Sequence, residues 1–233
     1  MLIFHENMPL EATETEKTLL YRLGIPSRLI NGNLGPIVKY TPNNGIYMFK
    51  QKKMEKILPE IRRIPTLIYT NRDIYDTDVA FDAENTWLYG FDEGGPNQNV
   101  VSVARLKGHN SDKVQERRSV TKNRYLKRVI TSGFHELGHK IVKGNGKHFE
   151  EAFYVNEKEG IKEPLNPHCP DLKCIMYEAI DMHAPKNGYE YLLIGNEKRF
   201  DAGNEEQLDR MYPEWFCKDC RDSIVIEEKY FFV

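Results

Sequence analysis

The chain has 233 residues, enough for one large domain or two small ones, and 40% hydrophobic residues with 11% aromatics supply a sizeable core. A net charge of -2 gives no global nucleic-acid footprint, and no apolar run approaches the roughly 20 residues of a membrane helix. The first residues turn acidic after a brief apolar start and lack the basic opening and longer apolar region of a signal peptide, so the expected address is the cytoplasm.

In chain order, Leu10 to Leu23 reads as a short helix ended by Gly24 and Pro26. Residues 25–45 are punctuated by Asn31-Gly32, Gly35-Pro36 and Asn44-Gly45, which predicts a hairpin or loops. Ile46 to Arg63 spaces Met54, Ile57, Leu58 and Ile61 as a helix would, with Pro59 as an interruption. Thr66 to Thr70 is a compact β-branched and aromatic run, hence a strand, and leads into an acidic loop over 73–84. Strands follow at 86–91 and 100–106, and Gly94-Gly95-Pro96-Asn97 between them predicts antiparallel neighbours.

Val114 to Val142 reads as a long helix. Leu126, Ile130, Phe134, Leu137 and Ile141 form its apolar stripe at spacings of three and four. The adjacent face carries Thr131, Ser132, His135, Gly138 and His139, small enough around the histidines to leave room for a ligand. From Arg105 to Arg128 there are nine Lys/Arg and two acids. With no aromatic interleaving, this reads as the solvated face of a helix in preference to a site for an acidic partner.

His135-Glu136-Leu137-Gly138-His139 carries the chemistry. Two histidines at i and i+4 lie one above the other on a helix and can bind one zinc ion, with Glu136 beside them as a general base. The plain alternative is a helix with two surface histidines. A catalytic zinc takes three protein ligands, and the third stays open between His168, His148 just past Gly144 and Gly146, and a carboxylate such as Glu157, Glu159 or Glu163. His5, His109 and His183 read as ordinary core or surface histidines.

The four cysteines form two closely spaced pairs, Cys169/Cys174 and Cys217/Cys220. In an intracellular chain this favours a closed, structural all-cysteine zinc site over disulfides or a redox pair.

Taken together, His135-Glu136-x-x-His139, His168-Cys169-x₄-Cys174-x-Met176 and Cys217-x-x-Cys220 resemble the archaemetzincins, whose pattern is HExxHxxGxxHC, four residues, CxM, and later CxxC. The resemblance spans about residues 65–220, and Val100 to Leu106 looks like the family's strand before the metal helix. It implies a zinc peptidase in which His135, His139 and His168 bind catalytic zinc and Glu136 is the general base. It further implies that Met176 lies in a Met-turn beneath the metal, and that Cys169, Cys174, Cys217 and Cys220 bind a second, structural zinc. Two departures are plain: 28 residues lie between His139 and His168 where the pattern has five, and Val142 stands where the pattern has glycine.

The expected fold is α+β: a small mixed twisted sheet packed on a long metal-binding helix, with a C-terminal zinc-stapled subdomain. One domain is expected, with 1–64 undiagnostic, 65–143 holding sheet and active-site helix, 144–167 an insertion bordering the cleft, and 168–233 the Met-turn and cysteine region. The expected cofactors are two Zn²⁺ per chain and the expected partner is a peptide or protein substrate, with no nucleic acid and no membrane. The strand at 100–106 would pair with an extended peptide, and Tyr177 is a candidate oxyanion donor. The competing function is a non-catalytic peptide-binding or scaffold module, in which the long insertion misplaces the third ligand.

Overall fold

The computed structural model describes residues 1–6, 8, 10–33, 39–40, 46–47, 63–72, 74–75, 87–88, 90–92, 98–103, 106, 122–142, 149–171, 174–176, 189–199 and 216–231. The described strands are β1 (Leu2–Glu6), β2 (Arg28–Asn31), β3 (Lys39–Tyr40), β4 (Ile46–Tyr47), β5 (Thr66–Thr70), β6 (Ile74–Tyr75), β7 (Trp87–Leu88), β8 (Gly90–Asp92), β9 (Gln98–Ser102), β10 (Glu150–Asn156), β11 (Ile161–His168), β12 (Glu190–Ile194) and β13 (Glu197–Arg199). The described helices are α1 (Leu10–Arg22), α2 (Lys122–Ile141) and α3 (Lys218–Asp222), with a 3₁₀ turn at Glu228–Tyr230. The chain divides into two compact units, residues 1–140 with 226–233, and residues 141–225.

The first unit is built on a five-stranded mixed sheet in the order β2-β1-β5-β9-β8. Three of its four pairings are parallel, and β8 closes the edge antiparallel to β9, Phe91 opposite Val100. Every residue of β1 and β5 is buried, as central strands covered on both faces require. Because side chains alternate across a strand, the register defines two rows on one face: Ile3, Leu67 and Asn99, then His5, Tyr69 and Val101. Side chains from these rows meet both long helices: Tyr69 bonds Glu16 of α1, and Asn99 bonds the backbone of α2. On the opposite face Thr70 Oγ1 donates to Glu6 Oε2 at 2.9 Å, and Arg72 pairs with the same carboxylate at 3.3 Å.

α1 buries Ala12, Glu16 and Leu20 at i, i+4 and i+8, so a carboxyl sits in the middle of its apolar stripe. α2 buries Tyr125, Val129, Ile130, Phe134, Leu137 and Ile141. Arg128 departs from the solvated reading of the basic run: it is fully buried, with Nη1 donating to the Leu106 carbonyl at 3.4 Å.

A second, four-stranded sheet in the order β3-β4-β6-β7 also belongs to this unit. It changes the reading of 86–91 as one strand, since β7 pairs with β6 here whereas β8 joins the larger sheet. The helix expected from Ile46 begins with a strand instead, because Ile46-Tyr47 pairs antiparallel with β3 and parallel with β6. The rest of that stretch to residue 62, most of the 73–84 loop and the start of the long helix before Lys122 lie outside the described residues.

The second unit holds an antiparallel sheet in the order β11-β10-β12-β13. The residues read as an insertion therefore form a hairpin, β10 and β11, turned at Glu157 to Gly160, where Gly160 takes a φ of 68° that side chains resist. β11 is an edge strand, the place where Pro164 and Pro167 cost no ladder bond. At the base of the hairpin Glu150 faces His168 and Ala152 faces Leu165. Asn166 and Pro167 thus stand opposite the single residue Glu151, a bulge immediately before His168.

Candidate metal centres

The first centre lies on α2. His135 and His139 are half-buried and Glu136 is buried. The two imidazoles meet edge to face, their centroids 4.9 Å apart, with Nε2 to Nε2 at 3.3 Å. Two nitrogens about 2.0–2.1 Å from one tetrahedral zinc stand about 3.3–3.4 Å apart, so this pair already has the spacing of two ligands on one ion. Glu136 lies between them in sequence, on the side of the helix toward the sheet.

Two contacts behind the helix seat it. Tyr69 Oη donates to Glu16 Oε1, and this pair presses against α2 at Gly133, two residues before His135. A Cβ at Gly133 would lie 2.6 Å from Glu16 Oε1 and 2.8 Å from Tyr69 Cζ, so only glycine admits the approach. Burial pushes the Glu16 carboxyl up to about 8, against the smaller opposing pull of the Tyr69 hydrogen bond. Burial, then the charges of Glu16 and Glu136, raise Tyr69 well above the usual phenol range. Further along, Asn99 Nδ2 donates to the backbone carbonyl of Glu136. None of these four residues was marked by motif reading. A glycine in a helix core and an asparagine in an apolar strand were the available signals.

The second centre lies within the second unit. The Sγ atoms of Cys169, Cys174, Cys217 and Cys220 all lie within 4.8 Å of one another, with Cys169 to Cys217 at 3.7 Å and Cys174 to Cys220 at 3.5 Å. Thiolates about 2.3 Å from a tetrahedral zinc stand about 3.8 Å apart, so the four sulfurs fit that ion and are too far apart for disulfides. All four are free cysteines, three of them buried.

Local backbone builds this cluster. Cys217 caps α3, its Sγ accepting from Cys220 N at 3.4 Å, while Cys217 N and Met176 N donate to Cys174 Sγ at 3.3 and 3.5 Å. Met176 is fully buried, and its carbonyl accepts from Cys169 N at 2.9 Å, so its backbone ties the first two cysteines together. The hydrogen bond from Cys169, then that from Cys220, hold Cys174 well below the usual thiol range. The same contacts push Cys169 and Cys220 up, and burial raises Cys217. One thiolate is thus favoured at the others' expense, and a cation is what lets four coexist at this spacing.

His135, Glu136 and His139 belong to the first unit and the four cysteines to the second. His168 ends β11, directly before Cys169. The side chain of His168 and the whole of His148, Tyr177, His109 and His183 lie outside the described residues.

No family model and no curated protein matches the sequence. Among solved structures, an archaemetzincin from Archaeoglobus fulgidus is 19% identical at a TM-score of 0.49, covering 96% of this chain and all of that one. A zinc-dependent peptidase from Methanocorpusculum labreanum is 18% identical at a TM-score of 0.52, covering 96% of this chain and 99% of that one. At such identity the likeness speaks for architecture, the mixed α/β fold expected from the sequence. Over nearly its whole length, then, the chain is similar in fold to a zinc-dependent peptidase.

Proposed function

We propose that the protein is a zinc-dependent peptidase with two metal sites, one catalytic on α2 and one structural on the four cysteines. The observation that carries this is the 3.3 Å separation of the His135 and His139 Nε2 atoms, the spacing of two zinc ligands, with Glu136 between them. His168 is the proposed third ligand. The hairpin offsets the long interval: Glu150, eleven positions after His139, faces His168, so β10 and β11 take most of the extra residues out of the path. The bulge at Asn166-Pro167 is a device that re-aims the residue following it.

When bound, zinc supplies a Lewis acid that polarises a carbonyl and lowers the pKa of water to about 7. Glu136 takes the proton from the attacking water and returns it to the leaving amine. Its buried position limits competing solvent around that carboxylate. Three neutral imidazoles would leave the ion's full positive charge at the reacting centre, and Met176 is the proposed Met-turn residue. Among the described strands β8 is the antiparallel edge of the larger sheet, and it is a more direct candidate for pairing with an extended peptide than the interior strand β9.

Zinc analysis with peptide digestion tests this. Wild-type protein should carry about two zinc ions, and His135→Ala should lose one of them. Glu136→Gln should keep both while cleavage of a peptide mixture falls about 10²–10⁴-fold. A single zinc held by the cysteines alone would sink the proposal. Peptide binding without cleavage in fully loaded protein would favour the scaffold function.

A further inference from the structure

Asn99 is 4% exposed on β9, an interior strand of the sheet, between Leu67 of β5 and Asp92 of the edge strand β8 and followed by Val100 and Val101. A buried amide there is disfavoured by propensity and is costly wherever its polar atoms go unpaired. Its Nδ2 does have a partner, the backbone carbonyl of Glu136. That carbonyl is in the interior of α2, where the helix ladder already supplies a donor from four residues on. The amide of Asn99 is therefore a second, lateral donor, reaching from strand to helix at the peptide that follows Glu136. Asn99 Oδ1 is buried and has no partner among the described residues. Asn99 lines a cavity of about 10 Å³, shared with Leu67, Leu137 and Lys140, which is room for about one water.

A lateral hydrogen bond does something the helix ladder cannot. Ladder bonds run along the axis and leave the helix free to rotate and slide against the sheet. A bond from Asn99 fixes both motions at the residue between the two histidines. We propose that Asn99 is a positioning residue, pinning the Glu136 peptide to β9 so that His135 and His139 hold one fixed orientation toward a metal ion. This rests on the zinc-site reading of α2. It adds that the orientation of the site is set by the sheet, through a buried amide on the interior strand β9.

The test titrates Co²⁺ into full-length protein whose cysteine site is zinc-loaded, following the visible absorption bands and the affinity by competition with a chelator. Asn99→Leu should weaken Co²⁺ binding about 10-fold and shift its bands. Asn99→Gln, which keeps an amide donor, should recover part of the loss. A bond that only stabilised the fold would lower the melting temperature and leave Co²⁺ affinity, measured well below the transition, unchanged. Affinity within twofold of wild type in folded Asn99→Leu would overturn the proposal. If Asn99→Leu fails to fold, Asn99→Thr is judged by the same twofold threshold. Wild-type protein that binds Co²⁺ no better than His135→Ala would remove the metal site of α2 itself, an outcome distinct from an indifferent Asn99.

Discussion

Alanine at position 133 sets two forces against each other. In an exposed helix, Gly→Ala gains about 1 kcal/mol from backbone entropy. At Gly133 the added methyl meets Glu16 Oε1 at 2.6 Å and Tyr69 Cζ at 2.8 Å, with Tyr69 Oη nearer still, where ordinary contact begins near 3.4 Å. Either α2 retreats from the sheet or Tyr69 swings away from Glu16. Overpacking of this kind costs about 1–3 kcal/mol. Losing the partner of a buried carboxyl costs about 1–3 kcal/mol more. The net is a destabilisation of about 1–5 kcal/mol, which for a chain this long lowers the melting temperature by about 2–20 °C. Thermal unfolding followed by circular dichroism reads it directly. In a Tyr69→Phe background the nearest clashing atom is gone, so the same Gly133→Ala change should cost at least about 1 kcal/mol less. A Gly133→Ala protein as stable as wild type, or stabilised as helix propensity alone requires, would refute the tight seating of α2.

Three further outcomes are expected. Glu16 ionises at about 8 in the fold against 4.5 in the unfolded chain, so the native state binds the extra proton between those values. Stability is then fully present below about pH 4.5, falls as pH rises toward about 8 and levels above it. Glu16→Gln should flatten the slope of urea midpoints across that window, and a slope unchanged in the variant would exclude Glu16 as its source. Cys220→Ser should reduce bound zinc by about one equivalent and lower the melting temperature, while the zinc on α2 is retained, as metal analysis of the dialysed protein would show. His168→Ala should lose the zinc of α2 and His148→Ala should keep it; the reverse pattern would reassign the third ligand.

The parts of this protein that were legible in the sequence are those whose geometry is local. Two histidines four residues apart share a helix face whatever surrounds them, and Cys217-x-x-Cys220 caps its own short helix. Thr66 to Thr70 reads as a strand, and is one, because four of its five residues are β-branched or aromatic. Leu2–Glu6 went unread, although it sits beside β5 near the middle of the sheet. Its pairing with β2 and β5 is parallel and reaches across tens of residues, so no turn announces it. The hairpin of β10 and β11 was hidden by charge and by two prolines, which demote a strand until its edge position is known. The Glu16, Tyr69, Gly133 and Asn99 contacts were invisible for a related reason: each joins elements distant in sequence, and none belongs to a motif.

The paired base of the β10–β11 hairpin bears on how such proteins are found. Because Glu150 and His168 face each other, residues between them can be added or removed as a ladder of opposed pairs without moving the ends. Linear distance from His139 to the following His-Cys pair is then a poor measure of relatedness, whereas adjacency of His168 to Cys169, and of both to the bulge, survives any change of hairpin length. Sequence patterns written with a fixed interval across such a hairpin will pass over chains whose hairpin differs in length.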